Sequence, residues 1–476
     1  MPATPTQQSY SDFHAQRAKG FTVYNVTRGH ESTSSFAVAS RMEAYWRDIA
    51  QNRKAVSYGE ESLGNEQLLK KIAVALREKY SFTPKINQIS VFPGGHFALI
   101  GIMRAVMLKH KNCHFVMQEP GYGNYIKLHA EAANSARNRH SKIVALDVDE
   151  TEGKLTAEIV EKKLRAVPAN KKAVLMITTP SNPQGSILTH EEMRQILRIA
   201  KKYGAQVIID ESLYGMDFRD GHPEQFQSSV KAVKGDAELT AFLKTNAFII
   251  ESGTKTAGFA GSRIASCTLP DDNEIIDHVY AYTSLLLSNT SIEAQEMMAT
   301  WLTEIATGTE VKEISGYYQK NLRLLQSGLN GTGINVNSPD GGFFAVLDFS
   351  ELRGMRLPDN MAKRTGITHL ETDEDIYALF LNVSHNKEKV GMMRYSEFSR
   401  SKENSKDMKM RFCFGLAPDE IMAASRVITN IVDRVKAHNI QNYKPVTERF
   451  AQVTNPAEGP WATKIFGGSQ WVGLSA

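Results

Sequence analysis

A lysine, an aspartate, two arginines and a glycine turn stand in this sequence where their types and neighbours suit chemistry. Lys255 lies in Glu251-Ser-Gly-Thr-Lys-Thr-Ala-Gly-Phe-Ala-Gly-Ser-Arg263, just after the apolar run 247–251. An amine held in such a turn is a nucleophile for a carbonyl carbon; the bland reading is a surface lysine in a glycine-rich loop. Asp210 ends the run Ala-Gln-Val-Ile-Ile-Asp. A carboxylate at the C-terminal end of a buried parallel strand sits where such sheets bind ligands, unless it merely caps a helix. Gly94-Gly95-His96 follows the run 88–92 and opens a helical pattern. Free backbone amides and the helix dipole make that turn an anion site, and His96 either reaches the anion or caps the helix. The spacing is neither GxGxxG nor GxxxxGK. Arg263 and Arg411 offer planar donor forks for phosphate or carboxylate. Asn182, in Thr-Pro-Ser-Asn-Pro-Gln-Gly, is an amide donor or only part of a tight turn.

Taken together, these segments resemble the class I/II aminotransferases of fold type I. Ser252, Thr254, Lys255, Gly261 and Arg263 fall on that family's SxSKxxxxxGxR motif, and Asn182-Pro-Gln-Gly185 on its NPxG. The resemblance implies the cofactor pyridoxal 5'-phosphate (PLP). It implies that Lys255 is the Schiff-base lysine and that Asp210 keeps the pyridine nitrogen protonated, so the ring accepts carbanion electrons. Asn182 then donates to the phenolic oxygen and also lies beside the substrate. Gly94, Gly95, His96, Ser252, Thr254 and Arg263 surround the phosphate, and Arg411 holds an amino acid's α-carboxylate. Tyr122, in Glu-Pro-Gly-Tyr, matches the aromatic that stacks on the ring, with core packing as the alternative. The family places a tyrosine three residues after its strand-end aspartate. That position is Leu213 here, which leaves Tyr214 as the candidate for the same task. Tyr58 resembles a tyrosine that reaches the neighbouring subunit's phosphate, and Ser288-Asn289 an element crossing the same interface. A homodimer with shared active sites is implied. The motifs span roughly residues 55 to 415.

The reaction so implied is transamination between an amino acid and a 2-oxo acid, begun by removal of the Cα proton. The same parts serve lyases, decarboxylases, replacement enzymes and oxidases. His30, in Thr27-Arg-Gly-His-Glu31, stands where the family usually has Gly-x-Pro near the substrate. It is either an added acid–base group or a plain loop residue. A regulatory protein built on this fold needs a DNA-binding module, and no spare helix-turn-helix segment or basic patch stands out.

The elements that must position these residues are legible from periodicity. Short apolar runs at 88–92, 114–119, 143–148, 173–179, 206–211, 247–252 and 263–269 read as strands. They alternate with helical patterns at 96–109, 191–204 and 291–306. This alternation predicts an α/β fold with a mostly parallel sheet flanked by helices. A helix from Asn65 turns Leu68, Ile72, Val74 and Leu76 toward one face. The expected organisation is an irregular arm and helix (1–54), a large cofactor domain (55–307), a smaller α+β domain (308–440) and an irregular tail (441–476). Trp461, Phe466 and Trp471 suggest that the tail docks on the body or on a partner.

Composition narrows the rest. A formal charge of +4 over 476 residues gives no reason to expect nucleic acid or an anionic membrane as partner. Cys113, Cys267 and Cys413 are far apart in apolar runs, without metal-ligand spacing. They read as buried small hydrophobes. The first twenty residues lack an apolar signal core, and no run of about 18 apolar residues occurs. The cytoplasm is the expected location, and the Asn25-Val-Thr and Asn382-Val-Ser triplets read as chance matches to glycosylation acceptors.

Overall fold

The computed structural model describes residues 5–27, 34–53, 63–80, 82–148, 154–399, 406–441 and 443–446. Tyr58, His30 and nearly all of the tail from residue 441 lie outside the described residues.

Thirteen strands are described: β1 (Thr22–Asn25), β2 (Ile89–Phe92), β3 (Cys113–Glu119), β4 (Lys142–Asp147), β5 (Lys172–Thr178), β6 (Gln206–Asp210), β7 (Ala247–Glu251), β8 (Ala265–Thr268), β9 (Asn335–Val336), β10 (Phe344–Asp348), β11 (Glu388–Gly391), β12 (Met393–Arg394) and β13 (Lys409–Cys413). Seven of them form the central sheet in the order β2-β8-β7-β6-β5-β3-β4. The pairings β3–β4, β3–β5, β5–β6 and β6–β7 are parallel, while β8 runs antiparallel to both neighbours. Strands β6 and β7 are buried at every position, which is why they read as continuous apolar runs rather than as alternation. The register sets Thr178 beside Asp210 and Asp210 beside Ile250, so three C-terminal strand ends meet at one edge of the sheet.

The helices that frame this edge begin where the local chemistry dictates. Helix α3 (Glu66–Lys79) starts at Asn65, whose side chain accepts from the amides of Gln67 and Leu68. Its buried face carries Leu68, Ile72 and Leu76, spaced by four. Val74 falls on the other side and is 56% exposed, so the expectation that placed it on the buried face is corrected. Helix α4 (Gly95–Lys109) follows β2, and α5 (Tyr125–Ser135) follows β3.

A second sheet, β12-β13-β10-β9, is antiparallel and meets the helix Asp373–Asn382 through β12 and β13, while the long helix Pro418–Asn439 packs on Thr309–Leu329 and on β1 and β11. The N-terminal arm is not irregular throughout. It holds helix α1 (Pro5–Ala18) and β1, ahead of α2 (Phe36–Asn52). Helix α1 is mostly polar, and Phe13 supplies its fully buried anchor, edge-on to Tyr377. Strand β1 pairs in parallel with β11. Beyond it, the Cys413 amide donates to the Val26 carbonyl at 3.0 Å, which sets Thr27 beside the end of β13.

Candidate active site

One cavity of about 500 Å³ opens where the central sheet's strand ends face the antiparallel sheet. Its walls come from separate stretches of chain: the end of β1, the start of α4, the β3–α5 turn, the ends of β5 and β6, the loop after β7, and β10 with β13.

At the end of β6, Asp210 is buried and doubly held. Its Oδ2 accepts from the Tyr125 hydroxyl at 2.6 Å and its Oδ1 from the Ser212 amide at 3.0 Å. Burial, and next the charge of Asp210, push the Tyr125 phenol well above its usual range, so it stays protonated and remains a donor. Thr178 Oγ1 lies 2.8 Å from the same hydroxyl. These bonds leave Asp210 an oriented carboxylate, the acceptor a pyridinium N–H requires.

The anion end of the cavity is built on glycine. Gly94, with φ +88°, precedes α4, and no side chain caps that helix. A Cβ on Gly94 would lie 2.6 Å from Arg263 Nη2, so the guanidinium rests directly against the turn. Uncapped amides beside a guanidinium suit a phosphate dianion. Ser252 and Thr254 both line the cavity, while their hydroxyls donate to the Ile264 carbonyl at 3.2 and 3.1 Å.

His96 and Tyr122 are joined, with Nε2 and the phenolic oxygen 2.8 Å apart. Burial first, then the charge of Arg263, lower the His96 pKa, so the ring is neutral near pH 7. Asn124 donates to the Tyr122 oxygen at 2.8 Å, and the Tyr122 O–H is then free to donate to His96. The Tyr122 ring also meets Tyr125 edge-on, with centroids 5.2 Å apart.

At the opposite end, Arg411 projects from β13 and is 4% exposed. Nη1 donates to Asn182 Oδ1 at 3.2 Å and Nη2 to the Thr27 carbonyl. The guanidinium lies 4.1 Å above the Phe344 ring and 4.9 Å from that of Phe398. Its buried Nε has no partner among the described residues. Burial pulls its pKa down to about 10, which leaves it cationic at neutral pH. Arg411 thus presents a buried cation at the cavity wall, a chemistry suited to an anionic group.

The residues present therefore fit PLP. Lys255, Asp210, the uncapped α4 terminus with Arg263, and Arg411 all border the same space.

Of the residues singled out from sequence, Lys255, Asp210, Gly95, His96, Tyr122, Asn182, Ser252, Thr254, Arg263 and Arg411 line the cavity, with Gly94 immediately behind. Tyr214 does not, and its expected role is corrected. Its hydroxyl donates to the Phe226 carbonyl at 2.5 Å and its ring lies under Lys79 Nζ. In the turn after β6, successive side chains diverge, so Leu213 takes the cavity wall and Tyr214 the protein interior. Ser288 is exposed at the end of the helix Asn273–Leu287, outside this chain's cavity. Tyr125, Thr178 and Thr27 were missed. Tyr125 was findable as a second aromatic one turn after Tyr122, and Thr178 from its alignment with Asp210.

The family model described as aminotransferase class I and II matches residues 25–375. The aspartate aminotransferase of Sulfolobus acidocaldarius is 21% identical over 411 residues, covering 80% of this chain and 91% of that protein. The kynurenine–oxoglutarate transaminase of Dictyostelium discoideum is 25% identical over 213 residues, 44% of this chain and 45% of that one. The solved aspartate aminotransferase from Thermus thermophilus with maleate superposes with a TM-score of 0.70 over 90% of this chain and 97% of its own. At 17% identity, that likeness shows the shared fold.

Proposed function

The chain belongs to the class I and II aminotransferases and is a PLP-dependent enzyme of fold type I, and from that premise we propose how its own residues carry the transfer. Its substrates are an amino acid and a 2-oxo acid. PLP, when bound, supplies an aldehyde for the amino group and a ring that withdraws electrons from the substrate's Cα. Lys255 is the amine that anchors the aldehyde. With PLP bound, its freed Nζ would be the base that moves the proton at the substrate's Cα. Asp210, fixed by Tyr125 and Ser212, holds a proton at the ring nitrogen. The α4 terminus and Arg263 hold the phosphate. Asn182, which accepts from Arg411, would offer its amide N–H to the phenolic oxygen of PLP, and Arg411 would receive the α-carboxylate and so orient the Cα–H bond. The neutral His96 would hold Tyr122 in place to cover a face of the PLP ring.

The observation that carries this reading is the convergence of Lys255, Asp210, Asn182, Arg263 and Arg411 on one cavity from four separate stretches of chain, Lys255 and Arg263 sharing the loop after β7. A homodimer belongs to the same proposal. Tyr280, Leu285 and Leu286 are exposed on the helix that ends at Ser288, an apolar surface suited to a second copy. A cytoplasmic location is proposed from three free buried cysteines, the state a reducing compartment maintains. Among the described residues no helix is long and apolar enough to cross a membrane.

The test is a half-reaction. An amino acid supplied without any 2-oxo acid should convert bound PLP to pyridoxamine phosphate stoichiometrically, and a 2-oxo acid should restore it. Many turnovers without a 2-oxo acid, with release of ammonia, carbon dioxide or peroxide, would show a different reaction.

A further inference from the structure

Next to the cofactor site lies a buried ionic cluster that the reaction itself does not use. Asp210 and Ser252 line the cavity at the ends of the adjacent strands β6 and β7. The residues beside them in sequence, Glu211 and Glu251, do not, because successive side chains on extended backbone point to opposite sides. Both meet Lys79, the last residue of α3. The three side chains are only 1%, 2% and 1% exposed for Glu211, Glu251 and Lys79. Lys79 Nζ is 2.9 Å from Glu211 Oε2 and also donates to Glu251 Oε2.

The remaining contacts finish the cluster. Glu211 accepts from the Ser229 amide at 2.7 Å, from Ser229 Oγ at 2.6 Å and from Ser228 Oγ at 2.9 Å. Glu251 Oε1 accepts from the Tyr80 hydroxyl at 2.7 Å. The Tyr214 ring packs 3.6 Å from the ammonium, and Cys267 on β8 is the other titratable neighbour of Glu251. The cluster thus holds one cation and two carboxylates.

Resting on the PLP site proposed above, we propose that Lys79 is a positioning residue for the cofactor: by tying Glu211 to Glu251 it fixes the spacing between Asp210 and the Ser252–Lys255 turn. Without the ammonium, two buried carboxylates at adjoining strand ends would face each other in a weakly screening interior. One must then take up a proton or the strand ends must part, and each carboxylate is one peptide unit from a residue lining the cavity. The electrostatics agree with this geometry. Burial, and after it the charge of Glu211, push the Glu251 carboxyl up to about 7 against the pull of Lys79. Glu211 stays low despite its burial, held by Lys79 and by the serine hydrogen bonds. The cluster therefore passes from neutral to singly negative as pH rises through neutrality.

The experiment uses the PLP-loaded enzyme. The visible absorption of bound PLP and its dissociation constant are followed across the neutral pH range in the parent, Glu251→Gln and Lys79→Met. The dissociation constant should rise as Glu251 ionises, a rise that Glu251→Gln lacks, while the visible band, which also follows the imine nitrogen's own proton, serves to report PLP on Lys255. Lys79→Met should release PLP about 10–100-fold more readily, the range found when a group supporting a ligand-holding residue is removed. Superimposable pH profiles for the parent and Glu251→Gln would overturn the proposal, as would unchanged PLP affinity in a folded Lys79→Met. Should Lys79→Met not fold, Glu251→Gln decides alone, because it keeps the Lys79 side chain and the bond from Tyr80 while replacing the oxygen that accepts from Lys79 by a donor. A parent enzyme that fails to bind PLP at Lys255 would instead overturn the site proposal on which this one rests.

Discussion

Replacing Arg411 separates substrate orientation from cofactor binding. The guanidinium is already committed to Asn182 and Thr27 and keeps its Nε unused, so an incoming carboxylate meets a cation locked in place. A hydrogen bond to a charged group contributes about 1.5–3 kcal/mol, so two to a carboxylate contribute about 3–6 kcal/mol, or roughly 10²–10⁴ in kcat/KM. Arg411→Leu should lose that factor for an amino acid. Arg411→Lys should recover part of it, because the charge survives while the planar fork does not. PLP affinity should change little in either variant. The decisive assay compares single-turnover rates for an amino acid and for the corresponding amine without its carboxylate. The parent should lose roughly 10²–10⁴ on removal of the substrate carboxylate, whereas Arg411→Leu should be nearly indifferent to it, the mark of a direct pair in a double-mutant cycle. If Arg411→Leu slowed both substrates equally, the carboxylate role would be refuted.

Three further outcomes follow from the same geometry. Gly94→Ala should weaken PLP binding about tenfold or more, because the new Cβ lies 2.6 Å from Arg263 Nη2 and φ is +88°; equilibrium dialysis showing parental affinity would contradict the cradle. Asp210→Asn should keep PLP bound yet lose most transamination, since an amide does not stabilise a proton on the ring nitrogen; near-parental turnover would reject that role. Glu251 has a folded pKa of about 7 against 4.5 when unfolded, so the folded state holds the extra proton between those values. Its stabilisation is fully present below the unfolded pKa and is lost as pH rises through the folded one. The melting temperature of the parent should therefore fall more steeply than that of Glu251→Gln between about pH 5 and about pH 8, and parallel curves would refute this.

What the sequence disclosed follows the physics of each element. Strands β5, β6 and β7 are buried on both faces, so their apolar runs were plain and Asp210 stood out at the end of one. Lys255, Asn182 and Arg263 lie in short glycine- or proline-marked turns, where local spacing carries the geometry. The Lys79–Glu211–Glu251 cluster was invisible because a lysine in the last turn of a helix and a glutamate at a strand end look the same whether buried or solvated. Tyr214 misled for a related reason: a shift of one residue in a turn reverses the side a side chain occupies, and only the backbone shows that Leu213 took the cavity. Helix α1 lacks an apolar stripe and is held by Phe13, by the Asp12–Tyr377 hydrogen bond and by the bond from Lys389 to Gln16, contacts across more than 360 residues that no local pattern records.

Borohydride reduction of the PLP-loaded enzyme followed by peptide mapping tests whether Lys255 is the amine that carries PLP. The internal control is Lys389, a buried amine outside the cavity whose pKa burial lowers to about 8, so that low basicity alone would favour it. One pyridoxyl group per chain is expected, on Lys255, and none in Lys255→Ala. Label on Lys389, Lys79 or any other lysine of the parent, or an undiminished adduct in Lys255→Ala, would contradict it.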